Sequence, residues 1–446
     1  MLAPQSSQYI NDQRREFSLY TIQSRALPNL ADGLKISHRR VLWIARDGKH
    51  YKTASLAGNT MCIHPHSSPD EAINTLAAPY GNNIPLFDGD GAFGTFLIPN
   101  AYGASRYTAV QISSFTNDVI FKDIEIIPLI NNYDDTLQEP KHFLPLVPVC
   151  LINPIEGIAI GFACNILPRT LKDIVSAQIS FLKGKKLPDI IYPTLTPYNQ
   201  KAIGYQVDPI SNKIKWTFIG KFERSGKNDV KIVELPYGFT YIKFIAHLDR
   251  LQELGKILSY VDHSKGSVSI TVTFLRGVLA STTDEDLIQL FKLTSNETEN
   301  LNVIDFDGDT VIQTDFNDCI AKFTTWRLEW YVARYERLLS LIQTDIQRYR
   351  DILIAIKNNI GSIARKVESK AELVEYLEAI NIVHIEYIAS LPVYRFTLEE
   401  KNKTEQKLQA ALITEQEYMT LLADPDLRKN VYISELQDIQ TKFCKK

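Results

Sequence analysis

The stretch from Tyr331 to Ile356 constrains this chain more than any other. Tyr331, Tyr335, Leu338, Ile342, Asp345, Tyr349, Ile352 and Ile356 step alternately by four and three, with Asp345 the one polar member. A helix with a seam of that period cannot bury its stripe alone and asks for a partner along its length. A candidate partner returns later: Thr397 and Glu400 form a T-x-x-E helix start for a helix reaching Ala423. Asp424-Pro425-Asp426 then breaks it, because proline cannot continue the hydrogen-bond ladder. The expectation is an antiparallel coiled-coil arm over 319–446 with a small globule near 360–397. The seam by itself also permits helices packed on a globular core.

At 446 residues the chain is too long for one compact core. Residues 1–138 mix short helical patterns with Gly- and Asn-rich loops. Residues 139–318 carry strand-like alternation: Ile203, Tyr205 and Val207, then Ile214, Trp216 and Phe218, then Val230 and Ile232. The class expected is α+β and multidomain. The five cysteines are scattered without a C-x-x-C pair, which fits a reducing compartment and neither disulfides nor structural zinc. The N-terminal segment lacks the apolar run of a signal peptide. Pro145, Pro148, Pro154 and Glu156 interrupt the apolar stretch from Phe143 to Leu167, so it reads as a buried segment and not a membrane span. A cytoplasmic protein, of a bacterium or a phage-infected cell, is expected.

The net charge of −3 does not announce a polyanion binder, but the charge is uneven. Between Arg25 and Lys52 stand Arg25, Lys35, Arg39, Arg40, Arg46, Lys49 and Lys52, opposed only by Asp32 and Asp47, with His38 and His50 alongside. A local basic surface can hold phosphates on a neutral chain; a merely solvated basic face is the competing reading.

No Walker phosphate loop is present: the nearest stretch, Gly220 to Lys227, has the wrong spacing and continues with Asn228. Asp305, Asp307 and Asp309 resemble half a calcium loop without its distal glutamate, and a tight Asp-Gly turn explains them better. His64 and His66 precede Ser68-Pro69-Asp70-Glu71, a strong helix start whose free N–H groups favour anions. Arg106-Tyr107 means nothing as a dipeptide, since Arg-Tyr recurs at 334–335 and 348–349 within the helical seam. Its context separates it: the irregular, Gly-rich FDGDGAFGTFLIPNAYGASRYT, where glycine permits close approach to a ligand.

RALPNLADGLKISHRRVL (25–42), KTASLAG (52–58), IHPH (63–66), DGDGAFG (88–94) and SRYT (105–108), followed by INPIEGIAIGFACNILPRTL (152–171) and ELPYG (234–238), occur in order. Together they resemble the DNA-cleavage subunit of type II topoisomerases: the gyrase A subunit, its topoisomerase IV counterpart and the C-terminal half of the eukaryotic enzyme. The layout, with no wrapping domain after the arm, looks most like the medium subunit of tailed-phage topoisomerases. The resemblance implies a winged-helix domain with an N-terminal helix (1–138), a tower (139–318) and a coiled-coil arm ending in a dimer gate (319–446). It makes Tyr107 the nucleophile, Arg106 its partner and Arg25 a supporting arginine acting across the dimer. Lys35, His38, Arg39, Arg40, Lys52, His64 and His66 fall in its phosphate-contacting segments, and Ile158 matches an apolar wedge that bends the duplex. Ile63 replaces the usual Tyr, Ser67 the usual Gly and Ala109 a frequent Glu, which touches fine positioning.

Phenols ionise near pH ~10, so a tyrosine nucleophile needs help. Arg106 and Arg25 supply fixed positive charge for the phosphoryl oxygens. His64 or His66 can accept the phenol proton, as can a water or a metal-bound hydroxide. The leaving oxygen calls for Mg2+, and the chain shows no acidic cluster for it, so Mg2+ and ATP are expected on a separate ATPase and metal-binding subunit. The other partners expected are double-stranded DNA and a second copy of the chain. Relaxation or decatenation is expected over supercoiling. A tyrosine recombinase or nicking enzyme, and a non-enzymatic DNA scaffold, are the readings left in competition.

Overall fold

The computed structural model describes residues 22, 26–65, 69–159, 161–209 and 213–444. It is a mixed α and β chain in two compact units, Met1–Arg327 with Glu435–Lys446, and Leu328–Ser434.

In the first unit, α1 (Ile36–Ile44), α2 (Thr53–Met61) and α3 (Pro69–Ala77) pack on one another, with α2 and α3 against a small antiparallel sheet. Its strands are β1 (Tyr51–Lys52), β2 (Phe87–Asp90) and β3 (Ala109–Ile112), with β3 central. The sequence explains the helices. Val41 and Leu42 bury α1, Leu56, Ala57 and Thr60 one face of α2, and Ile73, Leu76 and Ala77 one face of α3, each at helical spacing. Pro69 takes the first position of α3, where a missing N–H costs nothing. The register Tyr51↔Val110 and Lys52↔Ala109 ties the entry of α2 to the strand that leaves the Gly-rich loop.

Two hairpins follow. β4 (Leu129–Asn131) pairs with β5 (Gln138–Pro140), and β6 (Ile155–Ala159) with β7 (Phe162–Ile166). Between them Phe143, Leu144, Val147, Cys150, Leu151 and Ile152 are wholly buried, as the broken apolar stretch implied. Strands Gly204–Val207, Ile214–Ile219 and Thr294–Glu299 form one sheet in that order. Trp216 and Phe218 bury its inward face. Ile203, Tyr205 and Val207 keep the expected period but stay exposed, because theirs is the edge strand. A four-stranded sheet packs Val230, Ile232, Ile270 and Val272 against Phe244 and Leu248 of helix Tyr241–Glu253. Asp305 closes a tight turn between strands Leu301–Ile304 and Val311–Thr314, its carboxylate accepting the N–H groups of Gly308, Asp309 and Thr310. That use of the carboxylate answers the half calcium loop.

Helix Phe316–Lys357 runs 42 residues and continues into the second unit. There Tyr331 meets Tyr432 at 5.1 Å, Tyr335 meets Tyr418 at 5.7 Å, and Gln343 donates to Glu415 at 3.0 Å. As one number rises the other broadly falls, so the returning helices Leu398–Ala423 and Pro425–Phe443 run antiparallel to the first. Ile346 is buried where strict heptads place Asp345; a straight helix drifts against a repeat of seven. Thr397 caps its helix by accepting from the Glu400 N–H, but the Glu400 carboxylate turns to Arg395 and Lys403 and does not return the bond. Between the helices, Ile360, Leu377, Ile382 and Ile388 form a separate small core. Asp351, wholly buried, anchors it by accepting from the His384 backbone and ring. Among the described residues no helix is long and apolar enough to cross a membrane.

Candidate active site

Tyr107 sits at the end of the Gly-rich excursion between β2 and β3 and is 71% exposed, unusual for a large aromatic ring. The excursion closes on itself: Phe93 bridges Tyr102, and the Gly103 N–H donates to the Ala92 carbonyl at 2.8 Å. Gly94 has φ +94°, and a Cβ there would lie 2.0 Å from the Pro99 carbonyl oxygen, so only glycine fits. The Tyr107 N–H then donates to Ala104 at 2.8 Å in a tight turn.

That turn is bolted to α2. The Thr53 N–H donates to the Thr108 carbonyl at 3.1 Å, the Ala54 N–H to Ser105 at 3.2 Å, and the two buried hydroxyls of Thr53 and Thr108 meet at 2.8 Å. A free tyrosine ring on a fixed backbone is suited to a nucleophile, which must reach its target without carrying the loop with it. The exposed Arg106 guanidinium lies 4.7 Å from the Tyr107 ring centroid, as a cation–π pair.

The basic segment is less free than its charge count implied. Arg39 is buried and grips the wholly buried Asp32 through Nε at 2.6 Å and Nη2 at 3.0 Å. Arg40 makes a bidentate pair with Glu139 of β5, at 2.5 and 2.9 Å. Lys49 pairs with Asp47, and Arg46 stacks on Trp43. Lys35 donates to the Glu156 carbonyl of β6 at 2.7 Å, and burial lowers its pKa. Lys52 is exposed just ahead of α2. Lys35 and His38 also line a cleft of about 1510 Å3, with Asn74 and Thr75 of α3 and Tyr198 and Tyr237 beyond.

Burial, reinforced by the neighbouring Lys35 charge, pushes His38 down to about 3. It is therefore neutral at pH 7 and carries no charge, keeping one ring nitrogen as a hydrogen-bond donor and one as an acceptor. Between the ordinary histidine value, ~6.5, and about 3, the unfolded chain takes up a proton that the folded chain refuses. His38 thus contributes stability that is complete above the upper value and lost as pH falls through the lower one. We expect His38→Gln to flatten part of the fall in Tm between pH 7 and 4, measured by circular dichroism. A slope remains, because burial also lowers the pKa of His142.

His64 lies past the end of α2, its ring edge-on to Tyr133 at 5.4 Å. Asn132 of the same hairpin donates to the Ile63 carbonyl at 3.1 Å and braces the loop. His66 and Arg25 lie outside the described residues. Ile158 is 90% exposed, an extreme value for isoleucine. Sequence reasoning passed over Glu139, Thr53 and Asn132, and counted Asp32 only as an opposing charge, though all four hold expected site residues or their loops in place.

The chain belongs to the family of DNA gyrase and topoisomerase IV A subunits, whose model matches residues 25–437. Among particular proteins it is similar to the DNA topoisomerase medium subunit of Enterobacteria phage T4, with 26% identity over 423 residues, 90% of this chain and 92% of the phage subunit. It is similar also to the DNA topoisomerase 4 A subunit of Pseudomonas aeruginosa, 26% identical across 95% of this chain and 60% of that one. The DNA gyrase A subunit of Brachyspira hyodysenteriae is 27% identical, over 96% and 55% respectively. The chain thus spans nearly all of the phage subunit but only 55–60% of these bacterial subunits.

Proposed function

We propose that this chain is the DNA-cleaving and rejoining subunit of an ATP-dependent type II topoisomerase, with Tyr107 the nucleophile. The exposed ring of Tyr107 on a pinned turn, with Arg106 against it, carries the reading. The phenol oxygen attacks a phosphorus of the duplex and the sugar oxygen leaves, so one phosphodiester becomes a 5′-phosphotyrosine ester. The reverse attack reseals it, and because bond energy is conserved that step requires no ATP. Arg106, and Arg25 from the second copy, balance charge on the phosphoryl oxygens. His64 or His66 receives the phenol proton. Lys35, His38 and Lys52 hold the backbone, with Arg39 and Arg40 behind them in their pairs with Asp32 and Glu139, while Ile158 enters a base step and bends the duplex.

In this reading α1–α3 with their sheet are the winged helix, the body to about 318 is the tower, and the paired helices are the arm of a homodimer gate. Mg2+ would stabilise the leaving oxygen. The described residues do not suit it: no three His, Cys, Asp or Glu side chains converge. We assign the metal and ATP to a partner subunit, and relaxation or decatenation to the holoenzyme.

Covalent capture tests the reading. The chain alone with Mg2+ and end-labelled duplex should give no denaturant-resistant adduct. Adding the ATPase subunit should give one whose labelled peptide contains Tyr107. Robust cleavage by the chain alone would sink the division of labour, and an adduct on another residue would sink the site.

A further inference from the structure

We infer that Glu156 reads sequence: its carboxylate accepts a hydrogen bond from a guanine 2-amino group in the minor groove, beside the base step that Ile158 opens. The inference rests on the proposed wedge role of Ile158 and extends it to the choice of cleavage site. In the hairpin β6–β7 the register is Glu156↔Asn165 and Ile158↔Ala163. Alternate residues of a strand share a face, so Glu156 and Ile158 project together. The opposite face is closed: Cys164 and Ile166 are buried, and a Cβ on Gly157 would lie 1.9 Å from the Ala26 carbonyl oxygen. The open face of β6 therefore presents an exposed carboxylate next to an isoleucine that is 90% exposed. The Lys35 ammonium holds the Glu156 carbonyl at 2.7 Å, which fixes the backbone from which the carboxylate projects. Glu156 borders the same cleft as Lys35 and His38, and its charge reaches Glu297, whose own burial and this neighbour raise its pKa.

A carboxylate facing a polyanion is repelled unless it finds a donor, and phosphates offer none. In the minor groove the guanine 2-amino group is the one donor on a base edge; A·T pairs present acceptors alone. Two residues of strand span roughly 6.6 Å, close to two base-pair rises of about 3.4 Å each. With β6 laid along the groove, the preferred guanine sits about two base pairs from the opened step.

The test maps adducts formed by the holoenzyme on duplexes in which each guanine in turn is replaced by inosine, which lacks the 2-amino group. With the native chain, one position near the opened step should lose about tenfold in adduct on replacement. Glu156→Ala should abolish that discrimination while still forming adduct, and Glu156→Gln, which keeps an acceptor oxygen, should retain most of it. If Glu156→Ala strengthens binding to all sequences equally and leaves the guanine preference intact, the carboxylate acts through charge alone and the inference fails, while the proposed function stands. If the native holoenzyme forms no adduct on any duplex, the proposed function fails and takes this inference with it.

Discussion

Replacing Tyr107 by Phe should abolish the covalent adduct while leaving duplex binding and bending as they are. The substitution removes one oxygen from a ring that is 71% exposed. The turn beneath it is held by backbone bonds and by the Thr53–Thr108 hydroxyl pair, none of which uses the phenol. The fold therefore gives no reason for Tyr107→Phe to lose stability, and loss of adduct isolates the chemistry. Arg106→Ala should instead lower the rate of adduct formation by about 100- to 1,000-fold, the usual scale for removing one preorganised charge-stabilising group. Gel shift, fluorescence-detected bending and denaturing capture on the same duplex separate the three quantities. Persistent adduct in Tyr107→Phe would move the nucleophile elsewhere.

The residues that touch the ligand in this reading were legible in the sequence, and those that hold them in place were largely not. Tyr107 emerged from ordered motifs, because Arg-Tyr occurs three times and chemistry alone could not choose. Helix starts were legible where one residue decides them, as at Pro69, and half legible at Thr397, where tertiary partners took the Glu400 carboxylate. Period was legible at Ile203, Tyr205 and Val207, but burial was not, since no local pattern says which strand lies at an edge. The basic run misled most. Charge is additive along a sequence, but whether a guanidinium is free depends on a carboxylate that folding brings to it. For Arg40 that carboxylate is Glu139, 99 residues away.

Asp32 shows what such pairing is worth. We expect Asp32→Ala to destabilise the first unit by about 3–5 kcal/mol, the scale for leaving one partner of a buried ion pair uncompensated. Arg39 would keep its charge in a site 5% exposed, and the Phe143 N–H, which donates to Asp32 at 3.0 Å, would lose its acceptor. Beside it, Gly33 has φ +67°, and a Cβ there would stand 2.2 Å from the Cys150 nitrogen. The Asp-Gly turn is therefore pressed onto the buried 143–152 segment, and the carboxylate helps to keep it there. Thermal unfolding should show the loss, and Asp32→Leu combined with Arg39→Met should recover the part due to the uncompensated charge, because an apolar pair removes both charges together, while the Phe143 and Leu34 N–H groups stay without their acceptor. The double variant also separates two roles for Arg39. If the arginine only supports the turn, the salt dependence of duplex binding keeps its slope; if it meets a phosphate, the slope falls by roughly one unit. The bidentate grip on Asp32 at 2.6 and 3.0 Å favours the unchanged slope.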